Sequence, residues 1–278
     1  MHRKSDVSKV GLNTQNCYFR PMNCVVVGTG WLGGPLAGSL AEKGHSVTGT
    51  RRSVTLMAKR AYRLIAYPPA NRLLKEELKE TDVVILAFPP NRSSVDQYTN
   101  DCIAVCKLIS PGCKVILTSS TSVYEVKSGT CFEEDLVYNP ESTNRIHRAE
   151  HTLRELLKDR LTIVRFAGLI GPNRHPVRNM IKSGILYSVN QPVNLIHQQD
   201  AVGLIEYVIE NQLWGETING CAPQHPTRGA YYTCMANQLE LTPPLFEDTP
   251  GESKLVSPEK SLKLGYVYQF PDPFDFPL

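Results

Sequence analysis

Gly28, Gly30 and Gly33 stand at the spacing that lets a polypeptide cradle a pyrophosphate. They follow the apolar run Cys24–Val27 and precede a stretch in which Leu32, Leu36 and Leu40 recur every four residues. The motif G-x-G-x-x-G therefore lies between an expected strand and an expected helix, the setting its chemistry needs. Gly28 allows the sharp turn out of the strand. Gly30 lets backbone N–H groups approach phosphates with no Cβ in the way, and Gly33 lets the helix pack close to the sheet. Trp31 and Leu32 complete the cradle, and the helix N-terminus turns its positive dipole end toward the phosphates. A glycine turn with a purely structural role is the competing reading.

The next chemical signal comes about twenty residues on, where NAD-binding folds usually carry a carboxylate for the ribose 2′-hydroxyl. This chain has Arg51 and Arg52 there, with no carboxylate nearby. Two guanidinium groups offer the charge and forked donors that suit a 2′-phosphate. The expected cofactor is NADP(H), with NAD as the alternative; the bland reading makes both arginines solvated loop charges.

Other polar constellations carry less. His147 and His151 lie four apart on an expected helix, but no third ligand is evident and Glu150 does not fit H-E-x-x-H. They read as solvated helix-face histidines, and no metal is expected. Glu133, Glu134 and Asp135 read as loop charges. Arg145, Arg174 and Arg178 fall near the expected substrate lobe, as anion ligands or as a solvated face.

The elements that must position these groups alternate along the chain. Pro35 lies in the first turn of the opening helix, where its missing N–H does little harm. Gly44 ends that helix, and His45 to Thr50 read as a strand. Arg51 to Tyr67 is mixed, with a short helix expected after Ser53. Leu73 to Leu78 is helical. Asp82 to Phe88 is a fully apolar strand, suited to a central parallel sheet. Ala87, Phe88 and Pro89, at its C-terminal end, are expected along the cofactor. A helix from Val95 to Ile109, a strand from Lys114 to Thr118, a helix from Ser142 to Leu157 and a strand from Leu161 to Phe166 follow. Val193 to His197 reads as a further strand and Asp200 to Glu210 as a helix. Beyond them Thr217 to Asn219 reads as a strand, Arg228 to Leu239 as a helix and Pro258 to Leu264 as a short helix. The alternation predicts an α/β protein, a Rossmann-type doubly wound parallel sheet with a small C-terminal substrate lobe.

With 278 residues, 41% of them apolar, the chain can bury a substantial core. A net charge of +3 makes no case for nucleic acid or an anionic membrane. The eight cysteines are scattered without a C-x-x-C pair, as expected for reduced thiols in a cytoplasmic protein. Residues 1–21 are polar, lack the apolar core of a signal peptide and read as a disordered extension, with Met22 as an alternative start. The dinucleotide domain is expected over residues 22–170 plus 193–212, and the substrate lobe over 171–192 and 213–278.

Several further stretches carry a resemblance. They are Ser119-Ser120-Thr121-Ser122-Val123-Tyr124, Arg165-Phe166-Ala167-Gly168-Leu169-Ile170-Gly171-Pro172, His197-Gln198-Gln199-Asp200, and the closing Ser257-Pro258-Glu259-Lys260 and Leu264-Gly265-Tyr266. Together with the glycine turn they resemble the extended short-chain dehydrogenase/reductase superfamily, the nucleotide-sugar epimerases and dehydratases, over about residues 22 to 278. The short length and the Gly-Trp-Leu-Gly turn look most like its atypical YeeZ-type branch. The resemblance implies a catalytic Ser, a Tyr, and a Lys four residues after the Tyr. Ser120 falls on the serine position, with Ser119 beside it at the cofactor. Asn144 stands where the tyrosine belongs and Arg148 where the lysine belongs. Asn cannot supply a proton as a phenol does, and Arg148 can hold the ribose but not titrate. Tyr124 is a substitute proton donor by position, or a structural tyrosine. The expected function is an NAD(P)-dependent oxidoreductase or epimerase/dehydratase-like enzyme acting on a small hydroxyl, carbonyl or sugar-type substrate. The competing class is a non-catalytic NADP(H)-binding or redox-sensing protein. The expected partner is a small molecule, with neither nucleic acid nor membrane, and a homodimer is left open.

Overall fold

The computed structural model describes residues 20–53, 60–68, 71–90, 94–125, 128–177, 185–247 and 253–277. Residues 1–19, the segment just after Ser53, and Arg178 lie outside them. In chain order the elements are β1 (Asn23–Val27), α1 (Gly33–Glu42), β2 (Ser46–Arg51), β3 (Arg63–Ala66), α2 (Arg72–Lys79), β4 (Val83–Leu86), α3 (Val95–Cys106), β5 (Lys114–Ser120), β6 (Gly129–Cys131), α4 (Arg145–Leu157), β7 (Leu161–Phe166), β8 (Gly168–Ile170), β9 (Ile185–Tyr187), β10 (Leu195–His197), α5 (Gln198–Glu210), β11 (Thr217–Gly220), α6 (Arg228–Gln238), β12 (Leu245–Glu247), β13 (Lys254–Val256) and α7 (Glu259–Lys263).

Period-two alternation in β1 sorts the protein into three layers. Cys24 and Val26 point to one face of the sheet, where they meet Leu36 and Leu40 of α1 and Leu204, Ile205 and Val208 of α5. Val25 and Val27 point to the other, among Leu74 and Leu78 of α2, Cys102 and Val105 of α3, and Leu153 of α4. A strand buried on both faces must be apolar throughout, which is why β1 and β4 read as unbroken hydrophobic runs.

The seven-stranded sheet runs β11-β7-β5-β4-β1-β2-β3, and all its pairs are parallel. The order reverses between β1 and β4. At such a switch point the connections leave in opposite directions and open a crevice beyond the strand C-termini. The sheet extends further than the expected boundary at residue 212. Thr217–Gly220, expected in the smaller lobe, forms the sheet's edge strand against β7, with Ile218 buried on the α5 side. Conversely, Val193–His197 yields only the short β10, which pairs with β8 outside the main sheet. The edge strand β3 has no sequence signal strong enough to stand out, since only Ile65 of its four residues is fully buried.

A third cluster holds the smaller lobe. Ile170, Val193, Leu195, Tyr231, Met235 and Phe276 pack there, around α6. The strand pairs β8–β10, β9–β12 and β6–β13 lie outside the seven-stranded sheet. The described cysteines are free thiols. Among the described residues, no helix is long and apolar enough to cross a membrane.

Candidate functional site

The turn after β1 is built as its glycines predict. Gly28 has φ +101°, and a Cβ there would sit 2.9 Å from Phe88 Cβ and 3.0 Å from the Ala87 carbonyl. A Cβ on Gly33 would fall 2.3 Å from Gly28 O. A Cβ on Gly30 would meet nothing within 4 Å, so that glycine opens onto space instead of relieving a clash. Thr50 fixes the turn: its hydroxyl accepts from Gly28 N at 3.1 Å and its carbonyl from Thr29 N at 2.8 Å. Gly34 N reaches back to Gly30 O at 3.0 Å. The amides of Trp31, Leu32 and Gly33 therefore precede the first helical hydrogen bond and form the donor set of a helix N-terminus.

A cavity of about 630 Å³ opens in front of this turn. Gly28 and Gly30 form one wall, Arg51 and Arg52 a second, Ala87, Phe88 and Pro89 a third, and Gln97 and Asp101 of α3 close it. Seven of the residues assigned to the cofactor from sequence thus meet on one surface, at the switch point. Arg51 and Arg52 are exposed.

Other residues assigned to the cofactor do not lie on that wall. Leu32 packs into the core beside α1 and α5. Trp31 turns toward the smaller lobe: its indole N–H donates to Pro172 O at 2.9 Å and the Arg174 guanidinium stacks 5.0 Å from its ring. Gln198 donates to Trp31 O at 2.7 Å. Trp31 thereby fastens the glycine turn to the second lobe. The Ser119 hydroxyl is buried and donates to Glu150. Arg148 reaches across to α3, where its Nη2 meets Asp96 Oδ1 at 2.6 Å.

The expected catalytic positions lie around the end of β5. Ser120 is half-buried, and its Oγ accepts from Ser122 N at 3.2 Å, which leaves its proton available to a substrate oxygen. Asn144 is fully engaged as the N-cap of α4. Its Oδ1 accepts from Ile146 N at 3.0 Å and His147 N at 3.3 Å, and its Nδ2 donates to Ser122 O at 2.8 Å. The amide ties the helix to the turn after Ser120 and has no proton to transfer. Tyr124 is 3% exposed. Its hydroxyl donates to Asn219 Oδ1 at 2.7 Å and accepts from Arg165 Nη1 at 2.9 Å. Burial pushes its phenol up to about 12, against the pull of Arg165 and Asn219. This is the geometry of a structural tyrosine.

Arg165 anchors this network and has no place in the sequence reading of the site. It is fully buried opposite Glu150, with Nη2 to Oε2 at 2.7 Å. It also donates to Tyr138 Oη at 3.0 Å and Glu133 O at 2.9 Å. Burial works against its charge, but Glu150 outweighs that and holds its pKa above the ordinary value. A lone arginine inside the apolar run Leu161–Phe166 was the available signal. Glu133, read as a loop charge, is instead buried and accepts from Asn219 N at 2.7 Å. His147, read as solvated, is also buried. Its Nε2 accepts from Asn139 N at 3.0 Å, and its Nδ1 has no hydrogen-bond partner. Both follow from packing α4 and the 133–135 turn against β7 and β11, which no local pattern reveals.

A second cavity of about 350 Å³ lies beyond the Thr121–Tyr124 turn. Tyr124, Glu125, Asn194, Arg228, Tyr232 and Lys254 are among the residues that line it. Lys254 Nζ donates to Thr121 O and Tyr124 O, each at 3.2 Å.

Sheet order, glycine turn and switch-point crevice together define a Rossmann-type fold with the crevice at the head of β1 and β4. Residues 23–130 match the model of the NAD binding domain of 6-phosphogluconate dehydrogenase. The fold is shared with dTDP-glucose 4,6-dehydratase of Bacillus anthracis, solved with NAD, at TM-score 0.73 and 17% identity over 91% of this chain and 94% of that one. It is shared equally with UDP-glucuronic acid 4-epimerase of Bacillus cereus, also solved with NAD, at TM-score 0.72 and 19% identity over 91% and 95%. Protein YeeZ of Escherichia coli K12 is 33% identical over 277 residues, covering 91% of this chain and 98% of that protein. The chain belongs to the YeeZ family.

Proposed function

We propose that the chain is an NAD(P)-dependent oxidoreductase or epimerase/dehydratase-like enzyme that prefers NADP(H) and acts on a small hydroxyl, carbonyl or sugar-type substrate. The observation that carries this is the switch-point cavity, whose lining includes both the glycine turn and the Arg51–Arg52 pair. Gly30 leaves room for a pyrophosphate against the amides of Trp31 to Gly33, and the two arginines suit a 2′-phosphate. The donor set and the open cradle fit the cofactor. When bound, nicotinamide supplies a hydride donor or acceptor. Ser120 offers a hydroxyl proton to the reacting oxygen. Without a tyrosine at position 144, the proton comes from water or from a group on the substrate.

Titration with NADPH and NADH tests the cofactor assignment. NADPH should bind at least about tenfold more tightly, since a charge-assisted contact contributes about 1.5–3 kcal/mol. Replacing Arg51 and Arg52 by Ala should remove that preference; clearly tighter NADH binding by the wild-type protein refutes it.

One observation favours a second reading, a cofactor-binding sensor without turnover: both ends of the Asn144 amide are spent on structure. Hydride transfer to a carbonyl panel that is lost in Ser120→Ala supports the enzyme. Tight NADPH binding with no turnover, indifferent to Ser120→Ala, supports the sensor.

A further inference from the structure

The second cavity holds two cations without an ion-pair partner among the described residues, Arg228 and Lys254. Arg228 opens α6, where its backbone N–H donates to Gln191 O at 2.8 Å and its guanidinium lies 5.8 Å from the Tyr232 ring. Its Nε is shut off from solvent and has no hydrogen-bond partner. An unpaired guanidinium donor costs free energy that a small shift of the side chain toward an incoming acceptor recovers, so the group gains by meeting one. Lys254 spends two of its three donors on the carbonyls of Thr121 and Tyr124, which aims the ammonium and leaves one donor over. Its strand is held in turn. Asn194 Nδ2 donates to Lys254 O, and Asn194 Oδ1 accepts from Val256 N, both at 2.8 Å. The carboxylate on this lining is Glu125, which is largely exposed and faces His147 Nδ1 at 3.9 Å and Ser142 Oγ at 3.5 Å. Tyr232 and Gln191 supply neutral hydrogen-bonding groups in the same lining.

We propose that this cavity binds the anionic end of the substrate, a carboxylate or a phosphate, through Arg228 and Lys254. It deepens the enzyme reading and rests on it for the word substrate. The turn that Lys254 holds begins directly after Ser120, so an anion bound there anchors a molecule whose hydroxyl or carbonyl end lies toward that serine. A volume of about 350 Å³ is near the lower end of ligand sites, which favours a compact acid.

The test is calorimetric titration of the full chain, saturated with NADPH, using glucuronate, glucose 6-phosphate and uncharged glucose at millimolar concentration. At least one acid should bind where glucose does not, and which one binds separates carboxylate from phosphate. Arg228→Gln should weaken that acid about tenfold or more while NADPH affinity stays unchanged. Binding of neither acid, equal binding of glucose, or full acid affinity in Arg228→Gln overturns the proposal. The comparison of acids with glucose on the wild-type protein stands even if the variant does not fold. Acid binding without any NADPH binding would refute the dinucleotide reading and leave the anion site standing.

Discussion

At Arg165 a guanidinium has been removed from water altogether, and the Glu150 carboxylate facing it likewise. Such a pair contributes little net stability, because desolvating two charges offsets most of their attraction. Its loss on one side is another matter. Glu150→Ala leaves a buried uncompensated cation and should lower the unfolding free energy by about 3–5 kcal/mol, measured by denaturant melting. The double variant Glu150→Leu, Arg165→Met should recover most of that loss. The network also sets the role of Tyr124. With its proton given to Asn219 and its phenol near 12, it holds the turn after Ser120 in place instead of moving protons at neutral pH.

Helix α1 shows how one element serves both packing and ligand access. Gly33 touches the backbone of its own turn, and no side-chain rotation relieves a 2.3 Å contact with Gly28 O. Gly38, further along the same helix, has nothing within 4 Å of where a Cβ would stand. The same substitution should therefore have opposite signs in one helix. Gly33→Ala should destabilise by about 1–3 kcal/mol through overpacking and weaken dinucleotide binding. Gly38→Ala should raise stability by up to about 1 kcal/mol through helix propensity. Thermal melting of the two variants side by side checks both. The N-cap of α4 works in a similar double way, since Asn144 starts the helix and pins it to Ser122.

Across the whole molecule, burial leaves a pH signature. His147, His197 and His225 are all lowered from 6.5, chiefly by burial. The unfolded chain binds protons at these sites before the folded one does. Stability is therefore full above about pH 6.5 and should fall as pH drops through the depressed folded values. Glu133, raised from 4.5 by burial, acts in the opposite sense just above 4.5 and offsets part of the loss. Equilibrium melts from about pH 8 to about pH 5 should show a decline that begins near 6.5; a flat profile would show that the histidines accept protons without unfolding.

The chain's local order was enough to establish the βα unit at Gly28–Gly33, the arginines at the end of β2 and the apolar end of β4, because each is a short contiguous segment whose chemistry depends on its neighbours in sequence. The mismatch at position 144 was equally visible, as a residue type. What Asn144 does there was not, since its partner Ser122 comes from another element. The same holds for the Arg165–Glu150 pair, for the edge strand Thr217–Gly220, and for the meeting of Arg228 with Lys254. Burial and pairing between distant segments are decided only when the sheet closes and its helices pack, because a charge costs or contributes according to what surrounds it and not according to its place in the chain.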